Sequence, residues 1–99
     1  MRLRLSPLVP ADLEEIADYI AHDDPRQAVR LLRTLQARMT EIARHPEFYR
    51  LRPEIAPEAR LTTVGNYVIL FRIREKTVRI ERVVHGSRDL SLLLADLEN

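Results

Sequence analysis

The fold is decided by the stretch from residue 65 to residue 90, whose sequence is GNYVILFRIREKTVRIERVVHGSRDL. Two runs in this stretch are rich in β-branched and aromatic residues, and the polar residues from Arg74 to Thr77 separate them. This composition predicts two strands joined by a turn. The first run carries apolar residues on both of its alternating faces, which is typical of a central strand. A hairpin alone is marginally stable in water, so we expect the rest of the chain to cover one of its faces.

The second run of the hairpin divides into two rows of side chains. One row holds Val78, Ile80 and Val84 and is interrupted by Arg82. We expect the other row to meet solvent or a partner because it is mostly polar; it consists of Thr77, Arg79, Glu81, Val83 and His85. A leucine-rich tail follows Gly86 and predicts a short C-terminal helix that contains Leu90, Leu92, Leu93, Leu94 and Leu97.

A short strand and a first helix are predicted before the hairpin. Residues 2–6 alternate in polarity, which predicts a strand with Leu3 and Leu5 inward. Pro10 favours a helix start, and the apolar spacing after it predicts an amphipathic helix that ends near residue 22 or 23. We expect the opposite face of this helix to carry its acidic residues, which are Asp12, Glu14, Glu15 and Asp18.

A second amphipathic helix begins at Asp24, the expected N-cap, and ends at Arg44-His45-Pro46. Since the linker between the two helices is short, they should form an antiparallel hairpin. Residues 47–58 are predicted to be an ordered loop, residues 60–64 a strand, and Gly65-Asn66 a tight turn that tolerates positive φ. The order β-α-α-β-β-β with a short C-terminal helix predicts an α+β fold, in which a helical hairpin packs on a mostly antiparallel four-stranded sheet.

Length and composition limit the class of protein. A chain of 99 residues has room for one hydrophobic core, so we expect a single domain over residues 1–99. The sequence contains no cysteine, and its three histidines are not spaced as helical metal ligands, so we expect neither a disulfide nor a metal or other cofactor. No apolar run is long enough to cross a membrane, and no signal-peptide core follows Met1. We therefore expect a soluble cytoplasmic domain.

Positive charge is concentrated in the middle of the chain. Residues 26–52 contain seven arginines and two glutamates, although the net charge of the whole chain is only +1. Fifteen of the sixteen basic residues are arginines, the residue type suited to bidentate contacts with carboxylates and phosphates. Charge asymmetry alone leaves open whether the partner is an acidic protein or a nucleic acid.

Several short motifs, in this order and spacing, resemble the RelE/ParE superfamily of toxins from bacterial type II toxin–antitoxin modules, and most closely its ParE branch. The resemblance spans nearly the whole chain. It rests on Asp12-Leu13, Glu15-Ile16 and Tyr19-Ile20 in the first helix, Asp24-Pro25 and Ala28 in the second, Arg44-His45-Pro46, Asn66-Tyr67-Val68-Ile69, and residues 82–90.

The superfamily resemblance implies one of two activities. RelE-like members cleave mRNA on the ribosome, which requires proton-transfer groups and cations on the phosphate. In this sequence the candidate catalytic residues for that alternative are His85, Arg82, Arg72, Arg88 and Tyr67. Four of these residues also have a structural interpretation. Arg82 would pair with Glu15 or Asp18, and His85 would cap the strand or bond the backbone. Arg88 with Asp89 would cap the last helix, and Tyr67 would be core or rim packing.

ParE-like members instead poison DNA gyrase and so block DNA replication, without chemistry of their own. The candidate catalytic set is incomplete, so we favour this non-enzymatic interpretation, with Arg82, His85 and Arg88 as target-binding residues. A non-toxic member that only binds an antitoxin is a third possibility.

The resemblance also implies a partner, a ParD-like antitoxin whose disordered segment folds onto the toxin. Acidic residues of such a segment would meet basic residues here, and a groove beside the helical hairpin would take its apolar anchors. The candidate antitoxin-binding residues are Arg26, Arg30, Arg33, Arg50 and Arg52. We expect contact with operator DNA only indirectly, through the antitoxin, and no contact with a membrane.

Overall fold

A computed structural model describes residues 1–92 and has the predicted α+β architecture, with two helices packed on one face of a four-stranded sheet. The strand order is β1-β4-β3-β2, with β1 parallel to β4 and the other neighbours antiparallel. The elements are β1 (Arg2–Leu5), α1 (Val9–Ala21), α2 (Pro25–Arg44), a 3₁₀ turn (Pro46–Phe48), β2 (Arg60–Val64), β3 (Tyr67–Arg74) and β4 (Thr77–His85).

The predicted C-terminal helix begins within the described part of the chain. Residues 90–92 are helical, and the rest of the predicted tail, including Leu93, Leu94 and Leu97, lies outside the described residues. Asp89 precedes this turn, and its Oδ1 accepts hydrogen bonds from the Ser91 hydroxyl at 2.8 Å and the Leu92 N–H at 3.4 Å. The expected cap at Asp89 is therefore present.

Local signals explain how the helices and turns form. The side chain of Asp24 accepts a hydrogen bond from the N–H of Gln27 at 3.2 Å, so the predicted N-cap of α2 is confirmed. Glu75 and Lys76 both have positive φ, as the tightest β-hairpin turns require. In the other turn only Gly65 lies in the left-handed region, with φ +58°, and Asn66 does not.

An extra residue in β4 changes the predicted alternation of its side chains. Phe71 lies opposite Ile80 but Leu70 lies opposite Arg82, so Glu81 is an added residue that forms a β-bulge. Beyond this bulge Val83 packs in the core with Ile69, while Val84 lies opposite Val68 on the other face. The prediction that placed Val84 in the row of Val78 and Ile80 was therefore wrong, because strict alternation does not hold across a bulge.

Both faces of the sheet are covered over part of their area. The helix face packs against α1 and α2, and its core includes Leu35, Ile42 and Phe71. A smaller cluster on the far face joins Val68 and Leu70 to two alanines of the loop before β2, Ala56 and Ala59. The predicted solvent row of β4 is therefore partly wrong, since Glu81 and Val83 are each only 1% exposed.

The edge strand β1 also differs from its prediction. Leu3 and Leu5 lie beside Val78 and Ile80 and so face the helices, but they are 38% and 44% exposed. They are on the inward face as predicted, but they are not buried, because β1 is at the sheet edge, where the helices cover it less completely than they cover β4. The N-terminal ammonium anchors β1 to α2 by donating to the carbonyl of Ala43 at 2.9 Å.

Candidate binding cleft

A cleft of about 400 Å³ opens between α1 and the adjoining ends of β3 and β4. Tyr67 begins β3, His85 ends β4, and Arg88 follows in the turn after it; all three candidate residues line this cleft. From α1, Glu15 and the exposed Tyr19 line the opposite wall. Two of the predicted arginines, Arg72 and Arg82, do not line the cleft.

Arg82 is held by a carboxylate of α1. Its Nε and Nη2 donate to Oδ2 and Oδ1 of Asp12 at 2.8 Å and 2.7 Å, and the N–H of Val83 donates to the same Oδ2 at 3.0 Å. The expected partner of Arg82 was Glu15 or Asp18, and the expected place of Asp12 was the solvent face. Both expectations were wrong, because Asp12 stands four residues before Ile16 and so belongs to the buried stripe of α1.

Arg72 lies on the far face of the sheet and is buried. Its Nη2 donates to Oε2 of Glu81 at 3.2 Å. The other carboxylate oxygen of Glu81 is 2.7 Å from Nε of the half-exposed Arg79. Arg72 is therefore separated from the cleft by the sheet itself, and the bulge at Glu81 supplies its counter-charge.

His85 takes part in a local hydrogen-bonding arrangement at the end of β4. Its Nδ1 accepts from the N–H of Ser87 at 3.1 Å and lies 2.9 Å from the Ser87 hydroxyl. Because a backbone N–H can only donate, Nδ1 must be the unprotonated nitrogen, and the proton of the neutral ring is on Nε2. The ring also meets Tyr67 edge to face, with centroids 5.6 Å apart. In this tautomer Nε2 can donate to a ligand but cannot accept a proton from one.

Tyr67 is protonated at neutral pH. Burial raises the pKa of its hydroxyl above the ordinary value of 10.0, and the nearby Tyr19 adds a smaller effect in the same direction. Since a general base must lose its proton near the working pH, Tyr67 is poorly suited to that task. It can still donate a hydrogen bond and present an aromatic surface.

The predicted antitoxin-binding arginines form two separate groups. Arg26, Arg30 and Arg33 are exposed on α2 and follow helical spacing in its N-terminal half. Arg50 and Arg52 come after the C-terminal end of this helix of 20 residues, which is about 30 Å long. Arg52 makes an ion pair with Glu54, and this contact is the largest cause of the lowered pKa of Glu54.

Sequence reasoning missed two residues of the cleft region. Asp12 was assigned to solvent although its position relative to Ile16 placed it on the packed side. Tyr19 was noted only as part of a motif, although a tyrosine that is 78% exposed on an amphipathic helix suggests contact with a partner. Within residues 1–92 no group of histidine and acidic side chains has the arrangement of a metal site. In the same range, no helix combines the length and apolar character needed to cross a membrane.

Comparison with protein families gives a match for the family described as "ParE toxin of type II toxin-antitoxin system, parDE", over residues 3–90. This match covers the fold and the cleft, and it defines the class as a toxin of a type II toxin–antitoxin system. The chain belongs to the ParE toxin family.

Among solved structures, the chain is similar to the "Chromosomal ParDE TA system from P. aeruginosa". The TM-score is 0.75 at 23% sequence identity, and the match covers 86% of this chain and 95% of that chain. At this identity the likeness establishes the fold. A comparison with curated proteins gives no match.

Proposed function

We propose that this toxin arrests growth by binding DNA gyrase and blocking DNA replication, and that it breaks no covalent bond itself. The observation that carries this proposal is the bidentate contact of Arg82 with Asp12 at 2.7 and 2.8 Å. Because of this contact, the guanidinium group of Arg82 is bound to Asp12 and does not serve as a phosphate-binding cation beside His85. With Arg72 on the other face, Arg88 is the one arginine of the candidate set at the cleft.

A ribonuclease would need a base for the 2′-hydroxyl, an acid for the leaving oxygen and cations on the phosphate. His85 uses Nδ1 to accept from the backbone, and Tyr67 holds its proton at neutral pH. Neither of these two candidate proton-transfer residues is therefore placed to act as the base, and the carboxylate of Glu15 also lines the cleft. One observation favours the ribonuclease alternative, namely that Tyr67, His85 and Arg88 share the cleft.

The gyrase-binding surface in this proposal is the rim of the α1–β4 cleft. Tyrosine and arginine are the residue types that most often dominate binding energy in interfaces, and here Tyr19 and Arg88 are both exposed at the rim. His85 adds a donor at Nε2. Arg82 contributes by holding α1 against β4 and so fixing the two walls of the cleft.

The antitoxin in this proposal is a ParD-like protein that binds elsewhere, along α2 and the edge strand β1. Arg26, Arg30 and Arg33 provide positive charge there, and the exposed Leu3, Leu5 and Leu8 provide apolar anchor points for an amphipathic segment. The burial of apolar residues offsets the entropy that such a segment loses when it becomes ordered. Operator DNA would be bound by the antitoxin.

Two assays with the purified chain separate the gyrase proposal from the ribonuclease alternative. The proposal predicts inhibition of gyrase supercoiling and accumulation of cleaved DNA, with no cleavage of ribosome-bound mRNA. Replacing Arg88 by Ala should weaken gyrase inhibition about tenfold or more, as loss of a central interface residue does. Unaltered gyrase activity together with cut mRNA that depends on His85 would reverse the assignment.

Growth on induction of the toxin gene tests whether the protein is toxic at all. Arrest that a co-expressed antitoxin reverses is the expected result, whereas normal growth with full soluble expression would indicate an antitoxin-binding member without toxicity. For the antitoxin surface, Arg30→Glu with Arg33→Glu should slow association and reduce its dependence on salt. The control is Arg88→Glu, which changes charge at the cleft and should leave antitoxin association unaltered.

A further inference from the structure

A second concave surface lies on the far face of the sheet, away from the cleft. Its volume is about 850 Å³, and four arginines line it, Arg2, Arg4, Arg74 and Arg79. We call it the arginine concavity. None of these four residues was a candidate site residue, although Arg79 belongs to the row of β4 that was expected to meet solvent or a partner. None of them is used in the function proposed above.

Strand register explains why the arginines collect there. Leu3 and Leu5 lie beside the buried Val78 and Ile80 on the helix face, so Arg2 and Arg4 lie on the far face. Arg4 pairs with Arg79, which in turn pairs with Arg72, so three arginines stand side by side across three strands. Arg2, Thr77 and Arg74 form the neighbouring row.

This arrangement is unfavourable for the chain alone. Like charges that are directly opposite on neighbouring strands destabilise a sheet, and Glu81 is the buried carboxylate that offsets them, through Arg72 and Arg79. Within residues 1–92, the guanidinium groups of Arg2, Arg4 and Arg74 make no ion pair or side-chain hydrogen bond. Two carboxylates, Glu58 and Glu75, also line the concavity, so its four arginines leave a net excess of two positive charges among the lining residues. This excess on the sheet favours an anionic ligand.

The lining favours phosphate groups over an acidic peptide. Among residues 1–92, Ile73 is the one apolar residue of the lining, so a peptide that folds on binding would find few apolar contacts there to offset its ordering. The fork of a guanidinium group matches the oxygens of a phosphate. The two rows of residues defined by the strand register are about 7 Å apart along the strands, and each is about 10 Å wide. In the described part of the chain, no aromatic residue lines the concavity for stacking of unpaired bases.

We propose that the arginine concavity binds the phosphodiester backbone of a nucleic-acid duplex through Arg2, Arg4, Arg74 and Arg79, without reading the bases. This contact is direct and independent of sequence, so it differs from operator recognition through an antitoxin. It requires neither gyrase nor ribosome.

Fluorescence anisotropy with a labelled DNA duplex of arbitrary sequence tests this proposal on the full chain. Binding should weaken as salt rises, with a slope of about −3 in a plot of log K against log salt if about three phosphates are contacted. Arg4→Gln and Arg74→Gln should each weaken binding severalfold and reduce the size of that slope by about 1. Arg44→Gln removes the same charge from an exposed helix end and should alter neither quantity.

Two further ligands decide what the concavity recognises. An RNA duplex bound with the same dependence on Arg4 would confirm recognition of the backbone and not of the sugar. If a glutamate-rich peptide binds as tightly as the duplex and depends equally on Arg4, the site is one for carboxylates and the proposal is wrong. Equal weakening by Arg4→Gln and Arg44→Gln would also overturn it, since the attraction would then come from overall charge.

Discussion

The two faces of the sheet each bury one carboxylate, and they use it differently. On the helix face, Asp12 accepts hydrogen bonds from Nε and Nη2 of Arg82 and from the N–H of Val83. These three contacts join α1 to β4. On the far face, Glu81 is divided between the buried Arg72 and the half-exposed Arg79. The first group joins one arginine to one carboxylate, whereas in the second group two arginines share one carboxylate.

This difference separates structural charge from charge available to a partner. Asp12 pairs with Arg82 and fixes the geometry of the cleft, which presents the donors His85 and Arg88, the carboxylate of Glu15 and aromatic surface. Glu81 neutralises Arg72 and orients Arg79, but the arginines around them remain in excess. We infer that the helix-face pair acts on fold and cleft geometry, and that the far face interacts with anions.

The largest expected effect is from removing the far-face carboxylate. Glu81→Gln removes the negative charge that the buried guanidinium of Arg72 contacts, which should lower the free energy of unfolding by about 3 to 5 kcal/mol. Urea denaturation followed by circular dichroism measures this change. The matched control is Glu47→Gln, an exposed glutamate, which should change the value by less than about 0.5 kcal/mol. Equal effects at the two positions would mean that Glu81 is not needed to balance Arg72.

A smaller loss is expected on the helix face. Asp12→Asn keeps an oxygen for the N–H of Val83 but weakens the contact with Arg82, so we expect a loss of about 2 to 3 kcal/mol in the same denaturation experiment. Glu15→Gln on the same helix is the control and should be nearly neutral. A loss larger than that of Glu81→Gln would reverse the ranking of the two faces.

A partly exposed acid, Asp24, gives the scale for the two buried ones. Asp24→Ala removes the acceptor for the N–H of Gln27 at the start of α2, which should cost about 1 kcal/mol. Asp24→Ser retains a capping oxygen and should recover most of that loss. If Asp24→Ala proved as costly as either buried substitution, burial would not be what makes Asp12 and Glu81 important.

The smallest effect concerns the pH dependence at the cleft. Because burial raises the pKa of Tyr67 above 10.0, the folded state favours the neutral phenol. The resulting stability is fully present below the pKa of the unfolded chain and is lost as the pH rises through the higher folded pKa. An ultraviolet titration of tyrosine should show one late component, which Tyr67→Phe removes while Tyr49→Phe leaves it. A late component that persists in Tyr67→Phe would mean that another tyrosine is the source.

The predictable part of the fold came from local signals. Strand β3 with apolar residues on both faces, the Asp24 cap, and Pro10 near a helix start each depend on neighbouring residues, so the order of the elements followed from the sequence. The exposure of Leu3 and Leu5 was not predicted because a strand's position in the sheet is a long-range property. The faces of Val83 and Val84 were predicted wrongly because of the bulge at Glu81. The alternation of polar and apolar residues in a sequence does not show where a residue has been added to a strand.

The site was less predictable than the fold. His85, Tyr67 and Arg88 were identified because they follow recognisable motifs, and the structure brings them to one cleft. The partner of Arg82 was missed because Asp12 is a charged residue in an otherwise apolar stripe of α1. The helical pattern placed all the acids on the solvent face, so Glu15 or Asp18 was expected instead. The arginine concavity was missed because its members come from β1, β3 and β4, and only the strand register brings them together.

The most direct test of the account is gyrase inhibition by the double variant Asp12→Asn with Arg82→Met. This variant removes both charges of the helix-face pair, keeps the acceptor for Val83 and replaces the arginine stem with an apolar chain. If Arg82 acts only by holding α1 against β4, the folded variant should inhibit supercoiling within about threefold of the wild type, as buried ion pairs replaced by packed residues are often tolerated. A variant that folds and binds its antitoxin but no longer inhibits gyrase would show that Arg82 acts directly on the target, and would contradict the account.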